Sequence, residues 1–327
     1  MSFISRKVVI IGAGNVGSHV AMNLMNEQYA DEIVFLDINE EAANAQVTDL
    51  RDMLTALGRH VRIRVGTYDD CADANFIIMT AGRSRKPGET RLQMLQSTFA
   101  ILDGIMTPIR DSGFDGILIC VSNPADVVTE YFYRNLNLPR GHVFGTGTAL
   151  DTVRLRRIIG RIVDVDRDQV QAIVMGEHGD SSFIPESHIS IGAVPMTEYL
   201  RNHPELESKL DYQNITKMVH EAGGQIIRGK HSTEFGIGAE VAMVVSAILH
   251  HERKVMPLSV HLDGEYDQTN VSVGVPCVLG RDGIQEILEL ELTNKDRAAL
   301  RHSCDVIRGS FSSIETPKDP EVVSDMN

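Results

Sequence analysis

The sequence predicts an α/β fold: a doubly wound parallel sheet in the first half and a mixed α+β second half. Three observations carry this. Short apolar runs alternate with stretches of helical spacing through about residue 145. A glycine-rich turn, GAGNVG, directly follows the first of these runs. Beyond about Gly145 the alternation stops, and helical stretches mix with Val-rich runs. Apolar strands alternating with amphipathic helices mean βαβ units and a parallel sheet.

The elements follow in order. KVVIIG is a short β-rich run, and NVGSHVAMNLMNEQ after it has helical spacing. EIVFLD is a second strand, followed by a helical stretch from Glu40 to about Leu57. RIRVG, NFIIMTAG and GILICVSN are further strands, with helices at about 90–112 and 126–136. After Gly145 comes the helical run LDTVRLRRIIG, then the mixed segment QVQAIVMGEHGDSS. Two helices are expected at about 205–228 and 233–251, and a last one at about 294–310. MPLSV and VSVGVPCVL between them read as antiparallel strands. The polar end, ETPKDPEVVSDMN, reads as extended or frayed. No internal repeat or low-complexity linker is visible.

Composition bounds the function. The chain has 327 residues, 43% hydrophobic and 23% charged, ordinary values for a soluble globular protein. A net charge of −14 argues against nucleic acid or an anionic membrane as general partner, yet allows a local basic pocket for a small anion. The four cysteines, Cys71, Cys120, Cys277 and Cys304, have no paired spacing. Cys120 sits in the apolar run GILICV and reads as a buried thiol, which fits a reducing compartment. The apolar run near the N-terminus is too short for a signal-peptide core, and no segment reaches the length of a membrane span. A cytoplasmic protein is expected.

The turn Gly12-Ala13-Gly14-Asn15-Val16-Gly17 has a specific use. Alone, such a turn is a weak signal. Here it follows a strand and opens a helix, the setting of a Rossmann-type dinucleotide site. Gly12 allows the tight turn, Gly14 lets a pyrophosphate approach the backbone, and Gly17 lets the helix pack on the sheet. Asp37 ends the second strand, twenty residues after Gly17. A carboxylate there accepts from both ribose hydroxyls and repels a 2′-phosphate, which favours NAD over NADP. The expected layout is an NAD-binding domain over 1–145 and a catalytic, substrate-binding domain over 146–327. The helix at about 233–251 is expected to pack back on the first.

Three further motifs are Gly176-Glu177-His178-Gly179-Asp180-Ser181, Leu150-Asp151-Thr152-Val153-Arg154 and Ser122-Asn123-Pro124. Together with the glycine turn, in this order and at these spacings, they make the chain resemble the L-lactate/L-malate dehydrogenase family over nearly its whole length. The resemblance implies reversible hydride transfer between NADH and a 2-keto acid. It implies Asn15, Val16, Thr80, Ala81, Gly82, Val121 and Asn123 as further cofactor contacts. It also implies a homotetramer.

The chemistry requires a proton donor at the carbonyl oxygen and an anchor for the carboxylate. His178 is the natural acid/base, since imidazole titrates near working pH. Asp151, if close in space, would fix its tautomer and favour the protonated form. Arg154, three positions on, shares a helix face with Asp151 and can hold a carboxylate with two prongs. Asn123, at the end of a strand, can hydrogen-bond the substrate oxygen. Arg91 can polarise the carbonyl and stabilise the developing alkoxide. Thr233, in GKHSTEFG, matches a family position bordering the substrate. Taken singly, each has a plainer explanation: a surface histidine, or an i, i+3 helix salt bridge. A metal reading of His178 with His188 or Glu177 lacks supporting spacing, so no metal is expected.

The segment TAGRSRKPGETR concentrates Arg83, Arg85, Lys86 and Arg91 in an acidic chain. The resemblance implies a loop that closes over substrate, with Gly82 and Gly88 as hinges. Arg85 falls where lactate dehydrogenases usually carry Gln and malate dehydrogenases Arg. With Arg154 holding one carboxylate, Arg85 is balanced only by a second, as oxaloacetate brings. That match is worth about 2–4 kcal/mol, roughly 30- to 1000-fold in discrimination. Arg83 and Lys86 read as solvated loop surface. Yet GTGTALDTVR, KPGETRLQM and SNPADVV sit closer to the lactate branch. The expectation is oxaloacetate/L-malate activity on a lactate-dehydrogenase framework, with pyruvate/L-lactate as the alternative. Fructose-bisphosphate-activated members resemble the chain at Arg156, but Gln171 stands where they carry His, so weak or no activation is expected.

Other classes fit less well. A short-chain dehydrogenase needs Tyr-x-x-x-Lys, and none of the seven tyrosines has Lys four residues later. An NAD-dependent glycosidase needs a metal site with Cys and His. A non-catalytic NAD sensor has no need of His178, Asp151, Arg154 and Arg91 together.

Overall fold

Continuous apolar runs make strands that are buried on both faces. Every residue of β1 (Lys7–Ile11), β4 (Phe76–Met79) and β5 (Ile117–Cys120) is buried in the computed structural model, which describes residues 5–82 and 91–315. With β2 (Glu32–Leu36), β3 (Arg62–Val65) and β6 (Val143–Gly145) they form a parallel sheet in the order β3-β2-β1-β4-β5-β6. The helices α1 (Asn15–Asn26), α2 (Glu40–Leu57), α3 (Arg91–Asp111) and α4 (Ala125–Asn135) alternate with these strands. The order reverses at β1, so the ends of β1 and β4 open a crevice at the glycine turn. Arg83, Arg85, Lys86 and Gly88 fall at 83–90, outside the described residues.

The second half begins with α5 (Ala149–Val163). The small antiparallel strands β7 (Val170–Gln171), β8 (Ser190–Ile191) and β9 (Val194–Pro195) follow, with α6 (Met196–Asn202), α7 (Tyr212–Lys230) and α8 (Phe235–Leu249). Leu155, Ile159, Val170, Ile215 and Val219 form a core of their own between α5, α7 and this small sheet. Then β10 (Val255–Asp263), β11 (Thr269–Gly280) and β12 (Gly283–Ile287) run antiparallel, before α9 (Asn294–Glu315).

The Val-rich strands do not make a separate sheet. Ser259 of β10 stands opposite Gly145 of β6, so the large sheet continues through β10, β11 and β12 to nine strands. α8 is apolar around its circumference and lies against α1. A side chain at Gly238 would meet the His19 backbone at 3.0 Å, a measure of how closely these two helices approach. No helix among the described residues is long and apolar enough to cross a membrane.

Spacing alone puts a helix at about 205–228, but α7 starts at Tyr212. The Asp211 side chain accepts from the N–H groups of Gln213 and Asn214 and caps it there. The preceding Pro204–Lys209 winds as a separate 3-10 turn opened by proline. α9 runs to Glu315, beyond the expected end at 310.

Gly17 shows how tightly α1 meets the sheet. A Cβ there would lie 2.0 Å from the Gly12 carbonyl oxygen and 2.9 Å from Thr80 Oγ1. Because the closest clash is with backbone, no rotamer change relieves it. Gly17→Ala is expected to cost about 2 kcal/mol or more, read as a lowered urea midpoint. An unchanged midpoint would contradict this packing.

Candidate active site

The first wall of the site is the glycine turn. Gly12 takes φ +107°, and a side chain there would clash with the Ala81 N at 2.7 Å. Thr80 Oγ1 donates to the Gly12 carbonyl at 2.9 Å, and Ser122 Oγ donates to the Ala81 carbonyl at 2.6 Å. The turn, Thr80–Gly82 and Val121–Asn123 are thereby held together at the carboxyl ends of β1, β4 and β5. Around Gly14 the space is open: an added Cβ would meet nothing within 4 Å. No side chain caps α1, so its first N–H groups face outward from that turn. Asp37 follows β2, and its Oδ2 accepts the Ala13 N–H at 2.7 Å. Asn15 and Val16 open α1. The arrangement suits an anionic dinucleotide: donors and open space at Gly14, and a carboxylate beside the turn.

The second wall is the segment carrying His178, and five elements pin it. Gly176 exchanges backbone hydrogen bonds with Gly274 of β11 at 2.9 and 3.0 Å. Ser303 of α9 donates to the Ser181 carbonyl at 2.6 Å. His220 Nε2 of α7 lies 2.7 Å from Ser182 Oγ. Asp126 of α4 accepts the His178 N–H at 2.7 Å. Asp151 of α5 reaches the ring itself, with Oδ2 2.6 Å from His178 Nδ1. Two threonines set the register of α5 against this segment: Thr148 Oγ1 donates to the Val174 carbonyl, and Thr152 Oγ1 accepts its N–H.

Asp151 is shared. Its other oxygen, Oδ1, accepts from Arg154 Nη1 at 2.9 Å. The helix salt bridge and the histidine partnership are therefore one carboxylate serving two cations. Burial alone would push Asp151 up, but the charges and hydrogen bonds of His178 and Arg154 hold it below the usual carboxylate range. Burial likewise pulls His178 down, and the Asp151 charge and hydrogen bond outweigh it, so the imidazole is raised above its ordinary value. The pair thus favours the protonated ring. Arg154 and Thr233 also line one cavity of about 550 Å³, with Leu150, Ala222, Ile226 and Gly236 among its walls. The Thr233 hydroxyl is buried there without a hydrogen-bond partner among the described residues. Asn123 stands exposed in the turn after β5.

The remaining residues separate. Arg91 opens α3; the reading of its side chain and that of Arg85 lie outside what is described. His188 turns away, its Nε2 3.0 Å from the Glu291 carbonyl. Arg156 Nε donates to the Ala172 carbonyl at 3.0 Å. Gln171 is exposed on β7. Cys120 is fully buried, and burial pushes its thiol up to about 12.

Two acids escaped the sequence reading. Asp126 looked like an ordinary carboxylate in a first helical turn. Glu240 carried a signal, as the one charged residue of α8. It is 3% exposed, and its Oε1 has no hydrogen-bond partner among the described residues. Burial, and then the nearby Asp151 charge, push it up to about 8 against the pull of Arg156 and Arg154. Between the ordinary glutamate value of 4.5 and about 8 the folded chain holds a proton that the unfolded chain has lost. Folding stability therefore falls as pH rises through that window, by up to roughly 5 kcal/mol. Glu240→Gln is neutral throughout and removes this slope. Its urea midpoint is expected to gain on the wild type between about pH 5 and pH 8; a constant difference would contradict the assignment.

Known proteins share this fold and part of this sequence. The family profile for the lactate/malate dehydrogenase NAD binding domain matches residues 6–145, and that for the alpha/beta C-terminal domain matches 148–316. The L-lactate dehydrogenase 3 of Bacillus anthracis is 36% identical over 310 residues, 95% of this chain and 98% of that protein. An L-lactate dehydrogenase of Lactococcus lactis subsp. cremoris is 36% identical over 315 residues, 96% of this chain and all (100%) of that protein. The crystal structure of the minor L-lactate dehydrogenase of Enterococcus mundtii in its ligands-bound form superposes with a TM-score of 0.91 at 36% identity, covering 96% of this chain and 100% of that one. The chain belongs to the lactate/malate dehydrogenase family, and is an NAD-dependent oxidoreductase acting on CH–OH.

Proposed function

We propose that the chain reduces a 2-keto acid reversibly to the L-2-hydroxy acid, with His178 as the acid/base. The observation that carries this reading is the Asp151 carboxylate shared between His178 and Arg154. Asp151 occupies Nδ1, so Nε2 is the nitrogen that gives the substrate oxygen its proton. Arg154 keeps guanidinium N–H groups beyond the one on Asp151 for the substrate carboxylate. Thr233, on the same cavity, borders that carboxylate. Asn123 donates to the substrate oxygen, and Arg91 stabilises charge developing there.

Gly12, Gly14, Asn15, Val16 and Gly17 hold the cofactor pyrophosphate, with Asp37 on the ribose and Thr80, Ala81, Gly82 and Val121 along its path. The uncapped α1 terminus and the space over Gly14 support this. Ile38, fully exposed beside Asp37, suits the face of an adenine ring. When bound, NADH supplies the hydride. Residues 1–145 serve the cofactor and 146–327 the substrate. Exposed Val153, Ile227 and Phe235 on α5, α7 and α8 support self-association as a homotetramer.

For the substrate, charge counting favours a dicarboxylate. Arg154 takes the first carboxylate and Arg85 is balanced only by the second, which makes oxaloacetate and L-malate the pair. Pyruvate and L-lactate are the second reading, favoured by relatives named L-lactate dehydrogenase at 36% identity. NADH oxidation with both keto acids separates the two. Oxaloacetate is expected to win in the wild type and pyruvate in Arg85→Gln, a reversal of roughly 30-fold or more. Pyruvate winning in both would assign specificity to the framework.

The pairing of His178 gives a pH test. Asp151→Asn removes the charge that raises the imidazole. The basic limb of keto-acid reduction is then expected at lower pH, with kcat reduced on the order of 100-fold. An unmoved limb would refute the proposed role of Asp151.

A further inference from the structure

One buried acid near the substrate cavity has no task in the mechanism. Glu240 is the single charged residue of α8, and its Oε1 completes no hydrogen bond among the described residues. Burying an ionisable group without a partner is costly, and an apolar side chain would serve the fold better there. Such a group points to function when it stands near the chemistry. Glu240 does. Gly236, one turn earlier on the same face of α8, lines the cavity shared by Arg154 and Thr233. A side chain at Gly236 would meet Leu150 Cδ1 of α5 at 3.1 Å, so the two helices close on each other there. Glu240 thus lies one turn behind the cavity wall, within electrostatic reach of Asp151, Arg154 and Arg156 on α5.

We propose that Glu240 is a positioning residue for the substrate: acting only through Arg154, its carboxyl makes the hold of that guanidinium on a substrate carboxylate depend on pH. This rests on the reading of Arg154 as the carboxylate anchor. With Glu240 neutral, Arg154 has one negative partner, Asp151, and keeps its remaining N–H groups for the substrate. With Glu240 ionised, a second negative charge stands behind Arg154 and cancels part of its attraction for the incoming anion. The coupling is reciprocal, so a bound carboxylate holds the proton on Glu240.

The groups facing Glu240 set where the change falls. Burial, then the Asp151 charge, raise its carboxyl to about 8, against the pull of Arg156 and Arg154. Arg156 donates through Nε to the Ala172 carbonyl and forms no ion pair among the described residues; Glu240 and Asp168 are the charges that act on it. From α1, packed against α8, the titratable group is His19, whose ring sits against Phe235. β11, which also packs on α8, carries no charged residue. Keto acids stay ionised throughout, so the Glu240 contribution has one sign. Below about pH 8 the carboxyl is neutral and anion binding is undiminished; above it, KM rises.

The test is KM and kcat for NADH oxidation at about pH 7 and about pH 9, with saturating NADH and the better of pyruvate and oxaloacetate. The proteins are wild type, Glu240→Gln, Arg156→Gln and Arg154→Gln. His178 remains in all of them, so the comparison isolates Glu240. Between the two pH values, wild-type KM is expected to rise about fivefold more than that of Glu240→Gln. The ratio of their kcat values is expected to change by less than about twofold, a split that a merely structural role would not give. Arg156→Gln removes a charge that draws the proton off Glu240. Its rise in KM is expected to move to higher pH and to shrink over this interval. Arg156 lies outside the cavity lining, and this variant guards against a Glu240→Gln chain that does not fold. Equal rises in wild type and Glu240→Gln, or in wild type and Arg156→Gln should the former not fold, overturn the proposal while Arg154→Gln raises KM on the order of 100-fold. An Arg154→Gln enzyme of wild-type KM overturns the reading of Arg154, and this inference with it.

Discussion

One buried carboxylate holds the site in place. Asp151 is 5% exposed and gives one oxygen to His178 and the other to Arg154. Each cation alone would be costly to bury, and so would the carboxylate. With the imidazole protonated they leave one net positive charge, which suits the anionic substrate proposed for this site. The arrangement sets the imidazole tautomer and its protonation while fixing a guanidinium on the same helix. Everything that positions α5 therefore positions this cluster.

What positions α5 is the join between the two halves. β6 ends at Gly145 and α5 begins at Ala149, so the helix leaves the last parallel strand almost at once. β10 pairs with β6 and β11 pairs with β10, which brings Gly274 to Gly176 and sets the histidine segment over α5. Thr148 and Thr152 then bond both backbone groups of Val174. Each contact is a modest hydrogen bond, but they act on a rigid sheet, and small displacements of a catalytic group cost large factors in rate.

Three acids near this centre show how partners decide the fate of a buried charge. Asp151 has two cations and is held below the usual range. Asp126 has one backbone donor and a nearby hydroxyl, and burial raises it to about 6. Glu240 has no direct partner for Oε1 and rises to about 8. Burial is similar in all three. The number and sign of the groups within reach differ.

The sequence by itself determined the fold class, the glycine turn and the identity of the polar groups. Periodicity and local chemistry specify these: apolar runs of strand length, the GAGNVG turn before a helix, Asp151 and Arg154 one helical turn apart. The start of α7 was also written locally, in Asp211, but spacing obscured it, because 3-10 and α turns share much of their pattern. Only the tertiary structure decided that β10 to β12 extend the parallel sheet, since strand partners hundreds of ångströms of extended chain apart leave no local mark. Only it decided which acids face His178. Asp126 has unremarkable neighbours along the chain, and Glu240 shows there only as the single charge of an apolar helix; what either carboxyl does depends on contacts made across the chain, where burial and distance decide.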